Sequence, residues 1–176
     1  MPFRKTRAKD LEITPKPLKL EDALQYAVRA LSARALTEAE LSRKLRARNA
    51  SAEVIAQTLE RLRQLNFIDD SLIAARASED TQLGRFGIQR KLSQRGVNKH
   101  VIEDALTERD PDVDLEAARA LVERYAPKWT GERAYQKGMS FLMRRGFSSN
   151  VTRRALEDWA QRKNLEEEDL DESEFA

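Results

Sequence analysis

Apolar residues along this chain recur three times in one helical pattern. The first copy begins with Leu41 and Leu45, four residues apart and separated by charged residues. This spacing places the apolar side chains on one face of a helix. The second copy lies 47 positions later and the third 50 positions after that. The copies are Leu41, Leu45, Arg48, Asn49, Ala50, Ser51, Val54, Ile55 and Leu59; Ile88, Leu92, Arg95, Gly96, Val97, Asn98, Val101, Ile102 and Leu106; and Leu142, Arg145, Gly146, Phe147, Ser148, Val151, Ala155 and Leu156.

Each copy predicts two helices joined by a tight turn. The first helix ends at a residue type that tolerates the left-handed backbone conformation. These residues are Asn49, Gly96 and Gly146. One apolar residue follows, and the next side-chain oxygen caps the second helix. The capping residues are Ser51, Asn98 and Ser148.

A further helix precedes each pair, so the repeating unit has three helices. Its apolar positions are Leu24, Ala27, Val28 and Leu31 in the first copy; Leu72, Ile73, Ala74 and Ala77 in the second; and Leu115, Ala118, Leu121 and Val122 in the third. Between the first two helices, Thr37 and Glu40 match a capping box. Units that bury their apolar faces partly against neighbours form arrays. We therefore predict an all-α fold, an elongated array of three tandem three-helix repeats.

The repeats divide the chain into five segments. We predict repeats at residues 18–68, 69–110 and 111–163, preceded by a basic arm at 1–17 and followed by an acidic tail at 164–176. The arm has two prolines near its end and no sustained apolar period, which favours a flexible segment.

Charge is distributed unevenly among these segments, although the whole chain carries only +2. Residues 1–19 contain six cations and two carboxylates, and residues 164–176 contain seven carboxylates and no cation. The region between them therefore carries a net charge of +5. A basic body with an acidic tail predicts a polyanionic partner.

Composition narrows the possible classes of protein. The 176 residues are 40% apolar and 35% charged, and they include no cysteine, so neither disulfides nor thiolate metal sites are available. No apolar run approaches the roughly 20 residues needed to span a bilayer. Nothing resembles a signal peptide. We expect a cytoplasmic protein that does not associate with membranes.

No group of residues predicts catalysis or a bound metal. Asp69 and Asp70 are adjacent carboxylates, but without a nearby histidine or third carboxylate they are better interpreted as capping residues of the next helix. His100 is the only histidine, and we expect it to be exposed in a first helical turn. Gly84 and Gly87 are followed by no Gly-Lys-Ser/Thr, so we interpret them as part of a linker between helices. We predict no cofactor, no metal and no catalytic residue.

Exposed cations are the candidate binding residues. On the second helix of the first repeat, Arg43 and Arg46 lie roughly opposite the apolar face, and Arg90 occupies the Arg43 position in the second repeat. The predicted partner-binding or DNA-binding residues are Arg43, Arg46, Arg90, Arg144, Arg153 and Arg154, with Lys44 and Lys91 as second choices. The alternative for any one of them is a solvated surface, because isolated exposed charges contribute little.

A second series of arginines immediately precedes the helix ends. It consists of Arg48, Arg95 and Arg145. A cation in the last turn interacts favourably with the helix dipole, by about 0.3 to 1 kcal/mol. We favour this interpretation over binding. We assign Trp129 and Trp159 to the core.

In their order along the chain, these motifs resemble the RecX family, regulators of the RecA recombinase. Phe67-Ile68-Asp69-Asp70, followed by Ala74, is similar to the family signature Gly-Tyr-Leu-Asp-Asp-x-x-Phe-Ala. The other matching positions are Thr37 to Leu45; Gly84, Ile88, Leu92, Gly96 and Val97; and Phe141, Leu142, Arg145, Gly146 and Phe147. The resemblance covers about residues 20 to 160 and neither tail. The departures are Asn66 for Gly, Ile73 for Phe, and Arg85 where proline is common.

The resemblance implies a specific function. Similar proteins are elongated repeat arrays that lie in the groove of the RecA filament on single-stranded DNA. They suppress its ATP hydrolysis, strand exchange and co-protease activity, and so modulate homologous recombination, DNA repair and the SOS response. They are not enzymes, and we expect a monomer.

Two alternatives stay open at this point. In the first alternative, the chain is a DNA-binding module that acts without a recombinase, which basic helix–turn–helix-like units permit. Otherwise it is a helical adaptor for another protein and binds neither DNA nor RecA.

Overall fold

The computed structural model describes residues 16–131 and 133–174, and within these residues the chain is helical and contains no strand. The predicted basic arm lies outside the described residues up to position 15, as do the last two residues of the predicted acidic tail. The helices are α1 (Leu20–Ala33), α2 (Glu38–Arg46), α3 (Ala52–Gln64), α4 (Asp70–Ser78), α5 (Arg85–Arg95), α6 (Lys99–Thr107), α7 (Pro111–Tyr125), α8 (Ala134–Arg144) and α9 (Ser149–Glu174), with a single 3-10 turn at Ala126–Lys128.

The helices form three consecutive groups, and each group encloses its own core. Apolar side chains from α1 to α3 make the first core, with Leu41, Leu45 and Leu62 almost wholly buried. Ile88 and Leu92 are central to the second core. In the third, Leu142 and Leu156 pack with α7. The predicted all-α array of three-helix repeats is confirmed.

The predicted turns and caps are present in all three repeats. Backbone φ is +61° at Asn49, +86° at Gly96 and +84° at Gly146, the left-handed conformation expected after each helix. The capping hydrogen bonds run from Val54 N–H to Ser51 Oγ (3.2 Å), from His100 N–H to Asn98 Oδ1 (2.9 Å) and from Val151 N–H to Ser148 Oγ (3.2 Å). Thr37 and Glu40 form the capping box of α2. Asp69 caps α4, accepting from the N–H groups of Ser71 and Leu72.

The prediction that Gly84 and Gly87 belong to a linker is wrong. Gly84 is the N-cap of α5, and Gly87 lies in the first turn of that helix. A Cβ atom on Gly87 would overlap the carbonyl oxygen of Arg145. These glycines let the start of α5 pack directly on the turn after α8, a contact between repeats that local sequence does not display.

Both tryptophans belong to the third repeat, where they pack against its core as predicted. Trp129 contacts two rings edge-on. Its ring centroid lies 5.4 Å from that of Phe141 and 6.4 Å from that of Trp159. Trp129 follows the 3-10 turn, so the longer link between α7 and α8 is fixed by aromatic packing.

Candidate partner-binding surface

The middle helices of the three repeats, α2, α5 and α8, are joined end to end, and we call them the central column. At the α5–α8 joint, Gly84 N–H donates to Arg145 O (3.2 Å) and Phe86 N–H donates to Gly146 O (3.0 Å). At the α2–α5 joint, the Thr37 hydroxyl donates to Arg95 O (2.8 Å). The C-terminal end of α8 thus meets the N-terminal end of α5, and the C-terminal end of α5 meets the N-terminal end of α2. Helix dipoles favour this arrangement.

A carboxylate from the following repeat supports each joint. Glu38 N–H, in the first turn of α2, donates to Asp70 Oδ1 of α4 (3.1 Å). Arg85 N–H, in the first turn of α5, donates to Asp114 Oδ2 of α7 (3.1 Å). Both carboxylates satisfy N–H groups that have no partner within their own helix. The two joints are therefore built on one plan.

Two predicted binding residues contribute to these joints. The Arg43 guanidinium donates to Arg95 O (3.4 Å), and the Arg90 guanidinium donates to Arg144 O (3.0 Å). Both side chains remain exposed. The contacts place Arg43 beside the end of α5 and Arg90 beside Arg144 at the end of α8. Because these residues follow one another at the joints of the central column, we call Arg43, Arg90 and Arg144 the arginine row.

The other predicted residues are exposed but occupy different environments. The side chains of Arg46 and Arg154 make no hydrogen bond or ion pair among the residues that the structure describes. Lys91 pairs with Asp80 (3.1 Å), and Arg153 lies 3.9 Å from Glu157. Lys44 lines a groove between α1 and α2. Their role in binding stays a prediction.

The arginines before the helix ends have specific partners beyond the helix dipole. Arg48 lies over the Tyr26 ring, 4.0 Å from its centroid, and Arg145 lies 3.9 Å from the centroid of Phe141. Arg95 crosses the joint between repeats, donating to Glu40 Oε2 (3.0 Å) and to Ala35 O (3.0 Å). One sequence position therefore has three distinct packing roles.

Glu40 and Asp70 have shifted pKa values at the α2–α5 joint. Burial alone would raise the pKa of Glu40, but hydrogen bonds from Arg95 and the Thr37 N–H, with the charges of Arg95 and Arg34, lower it to about 2. Burial raises the pKa of Asp70, and the hydrogen bond from Glu38 N–H offsets only part of that effect. The joint thus contains one carboxyl group whose ionised form is stabilised, that of Glu40, and one whose ionised form is destabilised by burial, that of Asp70.

A buried ion pair at the α5–α8 joint was missed from sequence. Arg109 is 8% exposed and Asp114 9%, and Arg109 Nε donates to Asp114 Oδ1 (3.0 Å). Arg109 also donates to the carbonyl oxygens of Ser78 and Asp80. Asp114 in the first turn of α7 was a visible capping-type signal, but nothing local marks Arg109 as its partner.

This arrangement is suited to binding. No cluster of three or more metal-ligating side chains occurs in the part of the chain that the structure describes. His100 is exposed, with Nδ1 3.7 Å from a Glu103 oxygen. None of the described helices combines the length and apolar character that crossing a membrane requires. What the surface does offer is a series of exposed cations on helices that are joined by hydrogen bonds.

Comparison with known proteins gives this architecture a family. The first three-helix domain of RecX matches residues 23–62, and the third matches residues 112–156. Regulatory protein RecX from Deinococcus radiodurans is 32% identical over 164 residues, covering 89% of this chain and 80% of the relative. This chain belongs to the RecX family. A RecX relative from Thermus thermophilus is 36% identical over 141 residues, covering 78% of this chain and 90% of the relative.

Solved RecX structures share the fold. A crystal structure of regulatory protein RecX has a TM-score of 0.71 at 29% identity, covering 78% of this chain and 73% of that chain. The crystal structure of RecX from Lactobacillus salivarius has a TM-score of 0.69 at 24% identity, and the match covers 79% of this chain and 95% of that chain. The RecX assignment confirms the resemblance seen in the ordered motifs. RecX is a family of regulatory proteins and is not known as a family of enzymes.

Proposed function

We propose that this chain inhibits the RecA recombinase by binding the RecA filament on single-stranded DNA. It suppresses ATP hydrolysis, strand exchange and co-protease activity, and so modulates DNA repair and the SOS response. It acts in the cytoplasm as a monomer. Membership of the RecX family supports the regulatory role, and the surface suggests how contact is made.

The observation that carries the proposal is the row of Arg43, Arg90 and Arg144 along the central column. Each exposed contact is weak, because a surface ion pair contributes only about 0 to 1 kcal/mol. The Arg43 and Arg90 side chains bond to the ends of α5 and α8, and so they lie at the two joints. A filament presents equivalent sites at regular spacing, so several weak contacts act together through effective concentration. Acidic filament surface and the DNA backbone are the complementary chemistry.

The test is the DNA-dependent ATPase rate of RecA on single-stranded DNA as this protein is titrated from far below to above the recombinase concentration. A parallel titration measures binding to the same DNA without RecA. Inhibition well below the concentration that occupies naked DNA is the expected result. Absence of inhibition at any concentration would refute the proposed function.

A direct DNA-binding protein is the second candidate. The exposed cations Arg46 and Arg154, which make no ion pair among the described residues, favour it. Phosphate contacts release counterions, so affinity for naked DNA would fall steeply as salt rises. ATPase inhibition that appears only when the DNA itself is saturated would support this candidate over action on the filament.

A further inference from the structure

The first repeat contains a basic groove on a different side of α2 from the arginine row. It lies between α1 and α2 and has a volume of about 630 Å³. Leu18 N–H donates to Asn49 O (3.2 Å) near one end, and Arg34 lies 3.5 Å from Glu40 near the other. The two helices therefore run antiparallel. At 1.5 Å per residue, the α1 wall from Asp22 to Ala33 is roughly 16 Å long.

Cations line both walls of this groove. On α1, Asp22, Tyr26 and Arg29 are spaced i, i+4 and i+7, which places their side chains on one face of that helix. On the other wall, Lys44 lies on α2 and Arg48 lies in the turn that follows α2. Arg34 lines the same groove, so four cations and one carboxylate lie around it.

Three of these cations lack the carboxylate partners that many other cations of the fold have. Arg29, Lys44 and Arg48 are exposed and form no ion pair within residues 16–131 and 133–174. Elsewhere Lys91, Arg95, Arg109, Arg119 and Arg162 each pair with an aspartate or glutamate. A concave surface with unpaired cations on its walls concentrates positive potential.

Tyr26 prepares one of these cations for an anionic ligand. The Arg48 guanidinium carbon lies over the Tyr26 ring, 4.0 Å from its centroid, and the guanidinium makes no hydrogen bond among the described residues. Stacking restricts a guanidinium while its N–H groups stay available in the plane, the geometry that binds a phosphate oxygen pair.

We propose that the α1–α2 groove binds the phosphodiester backbone of single-stranded nucleic acid, with Arg29, Lys44 and Arg48 as the phosphate-contacting residues. This inference does not rest on action at the RecA filament. Single-strand sites combine a basic groove that follows the backbone with an aromatic and arginine platform, and this groove has both. Duplex readers instead insert a protruding helix or ribbon into a groove of the DNA, whereas here the protein surface is concave.

The experiment measures fluorescence anisotropy of a short labelled oligothymidylate against the full chain, without RecA, over a salt series. The variant R29A/K44A/R48A is compared with R61A/R76A/K99A, which removes the same charge from exposed positions outside the groove. We expect the groove variant to lose about tenfold in affinity at low salt. The plot of log K against log salt should become less steep by about 2, because each single-strand phosphate contact contributes about 0.7 to the steepness. The control should change by less than about threefold.

A double variant, R29A/K44A, keeps Arg48 on Tyr26 and so leaves that packing intact. It should lower the salt slope by about 1.4. Equal losses in the groove variant and the control would show a bulk charge effect and overturn the proposal, as would absence of wild-type binding. The last part of the experiment measures the binding of polyglutamate, an acidic polypeptide, to the same variants. If the groove variants lose polyglutamate binding but keep oligothymidylate binding, the groove is a protein site and the proposal is wrong.

Discussion

Arg95 links the first and second repeats through contacts with two different groups. Its guanidinium donates to the Glu40 carboxylate and to Ala35 O, while its own carbonyl accepts from the Thr37 hydroxyl. The Glu40 side chain is only 13% exposed, so it depends on this partner more than a surface carboxylate would. Arg95 is therefore a structural residue of the joint, in addition to any effect on the helix dipole.

Replacing Arg95 by Ala should destabilise the protein by about 1 to 3 kcal/mol, because a mostly buried carboxylate loses its charged donor. Urea unfolding monitored by circular dichroism measures the change. Arg48→Ala is the matched control at the equivalent position of the first repeat, where the partner is a tyrosine ring and the loss should be about 0.5 to 1 kcal/mol. A cost for Arg95→Ala no larger than that of Arg48→Ala would contradict this role.

Glu40 should also make stability depend on acid. Its pKa is about 2 in the folded protein, below its ordinary value of 4.5, so ionised Glu40 stabilises the fold above pH 4.5. That contribution, about 3 kcal/mol at most, is lost as pH falls from 4.5 through about 2. The measurement is the difference in unfolding free energy between wild type and Glu40→Gln across this range. We expect the difference to shrink on acidification, and a constant difference would be inconsistent with the shifted pKa.

At the scale of the helices, the central column depends on close backbone contact at the α5–α8 joint. A Cβ on Gly146 would overlap the backbone of Gly87, and a Cβ on Gly87 would overlap the carbonyl oxygen of Arg145. At the α2–α5 joint, a Cβ on Gly96 would instead meet the side chain of Ala39 at 2.5 Å. The two joints thus share the carboxylate and arginine hydrogen bonds but differ in how closely the backbones approach.

Gly87→Ala should cost about 1 to 3 kcal/mol through overpacking, even though alanine is favoured over glycine inside a helix by about 0.5 to 1 kcal/mol. Hydrogen exchange gives the local readout. The amides of Gly84 and Phe86, which bond to the α8 turn, should exchange faster while those of the first repeat do not. Gln94→Ala, on the exposed side of α5, is the control. Unchanged exchange at Gly84 and Phe86 would show that the joint tolerates the methyl group.

The buried pair Arg109 and Asp114 provides a second test of that joint. Asp114→Asn leaves a buried guanidinium without its counter-charge, so we expect a loss of about 3 to 5 kcal/mol. Asp112→Asn, in the same first turn of α7 but exposed, should cost less than about 1 kcal/mol. Chemical denaturation measures the unfolding free energy of both variants. Equal losses of unfolding free energy would mean that the pair contributes no more than a surface charge.

Local rules explain what could be predicted from the sequence and what could not. Thr37, Ser51 and Asn49 were predictable because caps and helix ends depend on residues within four positions. Gly87 and Arg109 were not, because their partners belong to a different helix or repeat. The exposed cations could be placed on helix faces, but their alignment into a row depends on how the repeats join.

At the scale of the whole molecule, three small cores connected by two joints give a chain that can present contacts over several repeats. The repeats carry a net positive charge, and the exposed row of Arg43, Arg90 and Arg144 follows the central column. The joints include hydrogen bonds to the partly buried Asp70 and the buried Asp114, and these bonds connect the ends of neighbouring middle helices before a partner binds. Such preorganisation would lower the entropic cost of the proposed binding to a regular filament.

The proposed contact of the arginine row with the filament is tested by the concentration of the R43A/R90A/R144A variant needed for half-inhibition of the RecA ATPase on single-stranded DNA. We expect about a tenfold increase or more over wild type, because three weak charged contacts are lost together. The R43K/R90K/R144K variant, which keeps the charges, should inhibit within a fewfold of wild type, and circular dichroism should show both variants folded. If the alanine variant inhibits as well as wild type, the row along the central column does not contact the filament.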